Sequence, residues 1–142
     1  MMSKTLTGTF QITQWDEEPH IVFDEGGKQS YAQIKQTYSG HITGDSSIKY
    51  LMNYKTETSA CFVGYEVMNV DIDGKKGRII LKHDGLFEQG VASSKFKIIS
   101  KNSTGDLKSI NGGGTFVSTE NGQANYTFEI GYDKNSVKVI GI

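Results

Sequence analysis

Apolar and polar residues alternate one by one along most of this chain, and no other feature limits its possible folds as strongly. Near the start, Leu6, Gly8, Phe10 and Ile12 alternate with threonine and glutamine residues. A period of two is typical of a β-strand with one buried face, and no segment keeps the 3.6-residue period of a long helix. The sequence therefore predicts an all-β protein.

The alternation returns in segments that are separated by polar or glycine-containing stretches. We predict strands at about residues 5–13, 32–38, 48–55, 59–72, 76–87, 91–99, 115–119 and 123–132. Residues 16–28 are predicted to form a polar loop, and the tail at residues 137–140 could add a short ninth strand. Strands that follow one another through short connections favour an up-and-down antiparallel meander.

Two of the connections carry a clear turn signal. Asp73-Gly74 and Asn121-Gly122 can supply the positive φ angles that a two-residue type I′ hairpin loop requires. An open sheet of about eight strands would leave two unpaired edges, whereas closure into a barrel removes them. We therefore predict a closed barrel that forms a single domain over residues 1–142, with a two-sheet sandwich as the alternative.

The charge balance and the few possible metal ligands argue against several classes of function. The 15 basic and 16 acidic residues give a net charge of −1, whereas a nucleic-acid-binding protein normally carries a basic excess. Cys61 is the only cysteine, so no disulfide can form within the chain. His20, His41 and His83 lack the spacing of metal ligands, and we expect neither a metal nor a cofactor. Because no apolar run resembles a signal peptide or a membrane span, we expect a cytoplasmic protein with no membrane partner.

Several short motifs, taken in order over nearly the whole chain, resemble a bacterial family of domains of unknown function. The motifs are Gly8-Thr9-Phe10, Trp15-Asp16-Glu17-Glu18-Pro19, Tyr50-Leu51-Met52-Asn53-Tyr54, Phe62-Val63-Gly64-Tyr65-Glu66, Leu81-Lys82-His83-Asp84-Gly85-Leu86-Phe87, Ser103-Thr104-Gly105-Asp106-Leu107 and Gly112-Gly113-Gly114-Thr115-Phe116. Members of this family are similar in fold to allene oxide cyclase and, more distantly, to the plant dirigent proteins. The resemblance implies a small barrel but no activity, because a shared fold does not transfer chemistry. No catalytic motif of the cyclase is matched in this sequence.

The Asp73-Gly74 turn determines which residues of the fourth and fifth strands face each other. With those two residues as the loop, Glu66 lies opposite Leu81 and Gly64 lies opposite His83. Leu81 belongs to an apolar row that alternates with charged residues, so the facing row of the fourth strand points inward as well. Glu66 and His83 are then diagonal neighbours on the interior face, within reach of each other's side chains.

The preceding hairpin decides whether a third side chain joins this pair. A loop of three or five residues around residues 56–58 places Tyr50 opposite Gly64, whereas a two-residue loop would exchange the inward and outward faces. We favour the odd-length loop because it keeps the apolar row of the third strand inward. Tyr50, Glu66 and His83 would then surround Gly64, which leaves space because it has no side chain.

This arrangement has a chemical and a structural interpretation. A carboxylate and an imidazole beside a phenol could transfer protons, so Tyr50, Glu66 and His83 are the candidate catalytic residues. Alternatively, Glu66 and His83 satisfy each other's hydrogen bonds and take no part in chemistry, as is usual for buried polar groups.

The interior of the barrel is the expected site of function. An eight-stranded barrel is just wide enough to be packed solid or to hold one small ligand. We predict that it binds a small, partly apolar molecule. The candidate ligand-binding residues are Tyr50, Phe62, Gly64, Glu66, His83 and Tyr126. The alternatives are an isomerase or cyclase that uses the same cavity, and a packed barrel that acts only as a protein-interaction subunit.

The outward face of the fourth strand is unusually apolar. If its even-numbered residues point inward, then Cys61, Val63, Tyr65 and Val67 form an outward row. A soluble monomer rarely leaves such a row bare, so we expect a homo-oligomer, with a dimer as the commonest form. The alternative is that residues 16–28 fold back and cover the row within one chain.

Overall fold

The computed structural model describes residues 3–133, which form eight antiparallel strands closed into one barrel. The strands are β1 (Lys4–Val22), β2 (Lys28–Gly40), β3 (Ile42–Thr56), β4 (Ser59–Ile72), β5 (Lys75–Glu88), β6 (Val91–Ile98), β7 (Ile110–Ser118) and β8 (Gln123–Tyr132). Each strand pairs with the next one in the chain, and β8 pairs with β1. The predicted all-β up-and-down barrel is therefore confirmed, and the alternative of a two-sheet sandwich is wrong.

Alternate residues of the strands point into the barrel, and apolar side chains fill most of these positions. The largest fully buried side chains are those of Leu6, Ile34, Ile42, Ile48, Met68, Ile72, Ile79, Leu81, Leu107, Ile110, Tyr126 and Phe128. Aromatic and β-branched residues suit a pleated surface of this kind. Removing these rows from water is the main force that stabilises the barrel.

The predicted polar loop at residues 16–28 is largely wrong, because β1 continues through it as far as Val22. The second half of β1 pairs with β2, where Glu17 lies opposite Ala32, and two register shifts bend the strand. Pairing with β8 ends at Gln11, so this half of β1 lies at a sheet edge. Most of its side chains are exposed, and the alternation that marks a half-buried strand is therefore missing.

Strand β7 begins at Ile110, well before its predicted start, because glycines lie inside it. A Cβ atom at Gly113 would lie 2.3 Å from the carbonyl oxygen of Phe96, and one at Gly114 would lie 2.1 Å from that of Thr127. The neighbouring backbones approach so closely that only glycine fits between them. Strands β2 and β3 also begin earlier than predicted.

The Asp73-Gly74 loop forms as predicted, whereas the predicted two-residue loop at Asn121-Gly122 is wrong, because four residues, 119–122, lie between β7 and β8. Asn121 and Gly122 do have positive φ angles, of 57° and 76°. Asp73 and Gly74 have φ angles of 55° and 81°, and the residues that flank them pair as predicted. The β3–β4 loop is shorter than predicted, with only Glu57-Thr58 outside the strands. A register shift beside this loop keeps the apolar row of β3 on the inward face of the barrel. Tyr50 therefore still lies opposite Gly64.

The two ends of the barrel are built differently. At one end, which we call the closed end, the segment between β6 and β7 forms two short 3-10 turns and buries Leu107 completely. There the Tyr126 hydroxyl donates to the Ser39 carbonyl at 2.7 Å and accepts from the Ile42 amide at 2.9 Å. The opposite end, which we call the open end, carries the β3–β4, β5–β6 and β7–β8 hairpins.

Within residues 3–133, the structure contains no helix that is long and apolar enough to cross a membrane. Residues 137–140, the possible ninth strand, lie outside the described part of the chain.

Candidate functional site

Glu66 and His83 form a buried pair in the middle of the barrel. Glu66 lies opposite Leu81, and Gly64 lies opposite His83, which makes the two polar side chains diagonal neighbours as the turn register predicts. The His83 Nε2 atom lies 2.7 Å from Glu66 Oε1, and the two residues are 1% and 0% exposed. Burial on this scale is tolerated only when a charged group has hydrogen-bond partners.

The remaining polar atoms of this pair also have partners. The Tyr38 hydroxyl donates to Glu66 Oε2 at 2.5 Å, and Gln36 Nε2 approaches the same oxygen at 3.4 Å. His83 Nδ1 lies 2.8 Å from the Ser94 hydroxyl. We refer to Gln36, Tyr38, Glu66, His83 and Ser94 as the polar cluster. Donors converge on both oxygens of Glu66, which is the environment that an ionised carboxylate requires.

The charge on Glu66 influences the pKa values of two tyrosines that lie on either side of it. Burial raises the pKa of Tyr38 well above its ordinary value, and the nearby Glu66 carboxylate raises that pKa further. Burial and then the Glu66 charge raise the pKa of Tyr50 in the same way. Both hydroxyl groups therefore stay protonated around neutral pH and are able to donate a hydrogen bond.

A cavity of about 330 Å³ enters the barrel from the open end. Gln36 of the polar cluster lines the cavity, and the rest of its inner wall consists of aromatic and aliphatic side chains together with small residues. These include Phe10, Ile12, Ile34, Tyr50, Met52, Phe62, Phe87, Ala92, Phe116 and Ala124. Trp15, Tyr54 and the β7–β8 hairpin surround its mouth. The volume and the lining are those of a site for a small, largely apolar molecule.

Tyr50 connects the cavity with the polar cluster. Its ring lines the cavity, packs against Phe62 with 4.5 Å between ring centroids, and meets the His83 ring edge-on at 5.5 Å. Its hydroxyl is buried and has no hydrogen-bond partner among the described residues. A buried hydroxyl without a partner carries a desolvation cost, so it marks a place where a further acceptor would be favourable.

The structure places the candidate residues in three different surroundings. Tyr50 and Phe62 line the cavity, whereas Glu66 and His83 lie behind it and are not among the residues that form its wall. Tyr126 lies at the closed end, where backbone groups satisfy its hydroxyl.

Gly64 does not supply the space that the sequence predicts for it. A Cβ atom at this position would lie 1.9 Å from the carbonyl oxygen of Lys49 and 3.0 Å from the Tyr50 Cα atom. Glycine is therefore needed for the close approach of β3 and β4. The cavity forms instead where alanines face aromatic rings at the open end.

The sequence analysis missed Gln36 and Ser94 as partners of the buried pair. Both are polar residues on rows that are otherwise apolar and inward, with Gln36 between Ile34 and Tyr38 on β2 and Ser94 on β6. A polar residue that interrupts such a row is the signal that could have identified them.

A second hydrogen-bonded group lies at the mouth of the cavity, around Glu17. The indole of Trp15 donates to Glu17 Oε1 at 3.0 Å, and the hydroxyls of Tyr54 and Ser30 donate to Oε2, the first at 2.8 Å. Burial opposes ionisation, but these hydrogen bonds and the charge of Lys28 outweigh it and lower the pKa of Glu17. Glu17 is thus a partly buried acceptor rather than part of a solvated loop.

No group of three or more histidine, cysteine, aspartate or glutamate residues within residues 3–133 is arranged to hold a metal ion.

Comparisons with known proteins give a family and a fold. Residues 6–130 match a family described as "Protein of unknown function (DUF3224)". A solved structure of a protein with unknown function from the same family, from Shewanella oneidensis MR-1, superposes with a TM-score of 0.75. It is 21% identical, and the match covers 93% of this chain and 98% of that one, so the likeness establishes the fold alone. No curated protein matches the chain. The similarity to allene oxide cyclase stays a prediction.

Proposed function

This chain belongs to the DUF3224 family, whose function is unknown, and we propose that its barrel binds one small, partly apolar, uncharged molecule in the open-end cavity. The buried Tyr50 hydroxyl carries this proposal, because it has no hydrogen-bond partner within residues 3–133 and belongs to a side chain in the cavity wall. An apolar cavity that contains one such donor is suited to a ligand with one hydrogen-bond acceptor.

The size of the cavity supports a small-molecule ligand. Binding sites in proteins usually measure about 300–1,000 Å³, and this cavity of about 330 Å³ lies at the lower end of that range. Most of its wall is aromatic or aliphatic, so burial of an apolar body would supply most of the affinity. A barrel that acts only through its surface would have no need of this space.

The charges around Tyr50 restrict the chemistry of the ligand. The hydroxyl stays protonated, so it would donate to an oxygen or nitrogen acceptor such as a carbonyl group. The Glu66 carboxylate lies behind Tyr50 and influences its ionisation. Among the described residues that line the cavity, no lysine or arginine is present to pair with a carboxylate ligand, whose burial would then be costly. We therefore favour a neutral ketone, ester, amide or alcohol.

The polar cluster favours binding over catalysis. A general acid or base must reach the reacting atoms directly or through one water molecule. Glu66 and His83 lie outside the cavity wall, and Tyr38, Gln36 and Ser94 already occupy their polar atoms. We therefore favour a ligand-binding role over the isomerase or cyclase role, and assign the pair to holding Tyr38 and the centre of the barrel in place.

The first test asks whether the cavity is the binding site. The probe is N-phenyl-1-naphthylamine, a neutral dye that fluoresces in apolar surroundings. Ala92→Phe would fill the cavity and weaken dye binding by at least about tenfold, which corresponds to about 1.4 kcal/mol. Val91→Phe is the matched control, because Val91 is the outward neighbour and is exposed. Equal binding by both variants would show that the dye site, and with it the proposed function, lies elsewhere.

The second test asks whether Tyr50 selects the ligand. Acetophenone and benzoate have similar sizes, but only benzoate is charged at neutral pH. We expect acetophenone to displace the dye from the wild type more effectively than benzoate, and Tyr50→Phe to weaken acetophenone binding. Native mass spectrometry of protein purified from its own host would then look for a retained neutral molecule.

A further inference from the structure

The outer face of the barrel carries an apolar patch that the cavity does not explain. The patch is centred on β4 and consists of Leu51, Cys61, Val63, Tyr65, Val67 and Leu86. Val63 and Tyr65 are 50% and 52% exposed, and Leu51 and Leu86 are exposed to a similar degree. The β1 segment therefore does not cover the patch, contrary to the alternative that residues 16–28 fold over it. An uncovered patch of this kind is typical of a surface that binds another protein.

Charged residues divide the patch into two levels along β4. Tyr65 lies between Lys49 on β3 and Lys82 on β5, so both of its neighbours are positive. Val63 lies between Leu51 on β3 and Asp84 on β5, so its only charged neighbour is negative. Among residues 3–133, neither Lys82 nor Asp84 forms an ion pair within the chain. These two charges are available to a partner.

The patch can face a second copy of itself in two symmetric ways, because a two-fold interface brings the same surface together. If the two-fold axis runs parallel to β4, each level of the patch lies opposite the same level of the other copy. Strand β3 of one copy then lies opposite β5 of the other. Lys49 would then face the other copy's Lys82 twice in the interface. Like charges placed together in this way oppose association. The charge pattern therefore disfavours this arrangement.

An axis at right angles to β4, lying in the interface level with Gly64, gives the opposite result. It places the level of Tyr65 against the level of Val63 in the other copy and keeps β5 opposite β5. Lys82 of each copy then faces Asp84 of the other, so the interface gains two opposite-charge pairs. Leu86 of each copy likewise faces Ile80 of the other, because Leu86 lies level with Cys61 and Ile80 lies level with Val67 on β4. On β3 the same axis places Lys49 opposite the other copy's Leu51, so the opposite-charge pairs lie on β5.

We infer that the protein forms a two-fold symmetric dimer through the outer faces of β3, β4 and β5, with β4 antiparallel to its counterpart and Lys82 paired with Asp84 across the interface. Facing sheets pack about 10 Å apart with their strands nearly aligned, which lets a lysine and an aspartate meet between them. The interface lies outside the barrel and is independent of the cavity.

A charge-exchange experiment tests both the dimer and its geometry. Sedimentation velocity at micromolar concentration is expected to show a wild-type dimer. Lys82→Asp and Asp84→Lys, tested separately, would each place like charges together twice and weaken association at least about tenfold. The double variant Lys82→Asp/Asp84→Lys would restore opposite-charge pairs and recover the dimer.

The control variants separate this geometry from general effects of charge. Lys101→Asp changes an exposed lysine away from the patch and should leave the dimer intact, whereas Tyr65→Lys should abolish it. A monomeric wild type would overturn the proposal. Single variants that dimerise like the wild type, or a double variant that stays monomeric, would overturn the proposed axis. Far-UV circular dichroism of each variant confirms that the barrel is folded.

Discussion

The closed and open ends of the barrel are filled by different kinds of side chain, with the polar cluster between them. Aliphatic residues fill the closed end, including Leu6, Ile42, Ile72, Leu107, Ile110 and Ile130, all at most 2% exposed. At the open end, rings such as Phe10, Phe62 and Phe116 face Ala92 and Ala124 and leave a cavity. Branched aliphatic chains interdigitate to high density, whereas at the open end the short alanine side chains leave space in front of the rings. One end therefore supplies stability, and the other leaves room for a ligand.

The centre of the barrel and the cavity also differ in whether buried tyrosine hydroxyl groups have hydrogen-bond partners. Tyr38 and Tyr50 both lie beside Glu66, and both are almost fully buried. The Tyr38 hydroxyl donates to Glu66, whereas the hydroxyl of Tyr50, a side chain of the cavity wall, has no hydrogen-bond partner among the described residues. Removing the Tyr38 hydroxyl should therefore weaken the fold, whereas removing the Tyr50 hydroxyl should alter ligand binding.

The largest effect is expected from removal of the charge on which the polar cluster depends. Glu66→Ala would leave His83 and Tyr38 buried without their acceptor and cost about 3–5 kcal/mol in free energy of unfolding. Urea denaturation followed by circular dichroism measures the loss. Glu57→Ala, in an exposed turn, is the control and should stay within about 0.5 kcal/mol. If Glu66→Ala does not fold, Glu66→Gln should fold with a smaller loss. Wild-type stability in both variants would mean that the cluster is not structural.

A smaller effect distinguishes the two tyrosines. Tyr38→Phe removes a hydrogen bond to a charged group and should cost about 1.5–3 kcal/mol. Tyr50→Phe removes a hydroxyl that has no partner, so its free energy of unfolding should change by less than about 0.5 kcal/mol. The same denaturation experiment compares the two variants directly. Equal losses would contradict the distinction between a satisfied centre and an unsatisfied cavity.

The smallest effect concerns Glu17 at the cavity mouth and depends on pH. Its folded pKa lies below the ordinary value of 4.5, so its carboxylate stabilises the fold above pH 4.5. That contribution is lost as the pH falls through the folded pKa. Glu17→Gln should therefore lower stability at pH 7 and have less effect at pH 3. The difference should stay below about 1 kcal/mol, because solvent still screens a group that is only partly buried.

The neighbouring carboxylate provides the control for this prediction. Glu18 is exposed, and Glu18→Gln should change stability equally little at both pH values. A Glu17 effect that did not change with pH would contradict the proposed role of its ionised form.

The buried pair could be located from sequence because one unambiguous turn fixes it. Asp73-Gly74 determines the β4–β5 register, and the alternation on β5 determines which face points inward. The partner Tyr38 could not be assigned in this way. The β2–β3 connection leaves only His41 outside the strands and carries no recognised turn signal, so the pairing of β2 with its neighbours was unknown.

The cavity could not be located from sequence for a different reason. Its existence depends on how far opposing side chains extend across the barrel, and alternation does not record distances. Gly64 illustrates the difficulty, because a missing side chain can leave a void or can admit a neighbouring backbone. Here the Lys49 carbonyl occupies the place. The glycines in β7 follow the same rule, and the first half of that strand is missed for that reason.

The β1 segment beyond Gln11 has a consequence for how the protein avoids aggregation. In the closed barrel each of the other strands pairs with two neighbouring strands, whereas this segment of β1 pairs with β2 alone. Its outer edge could therefore template the addition of another chain. Pro19 lacks the amide that such an addition would need, and Asp16 and Glu18 place charge beside it. The register shifts in this segment also bend the edge away from a flat geometry. Residues that resemble a loop thus protect a strand edge that closure of the barrel leaves without a second partner strand.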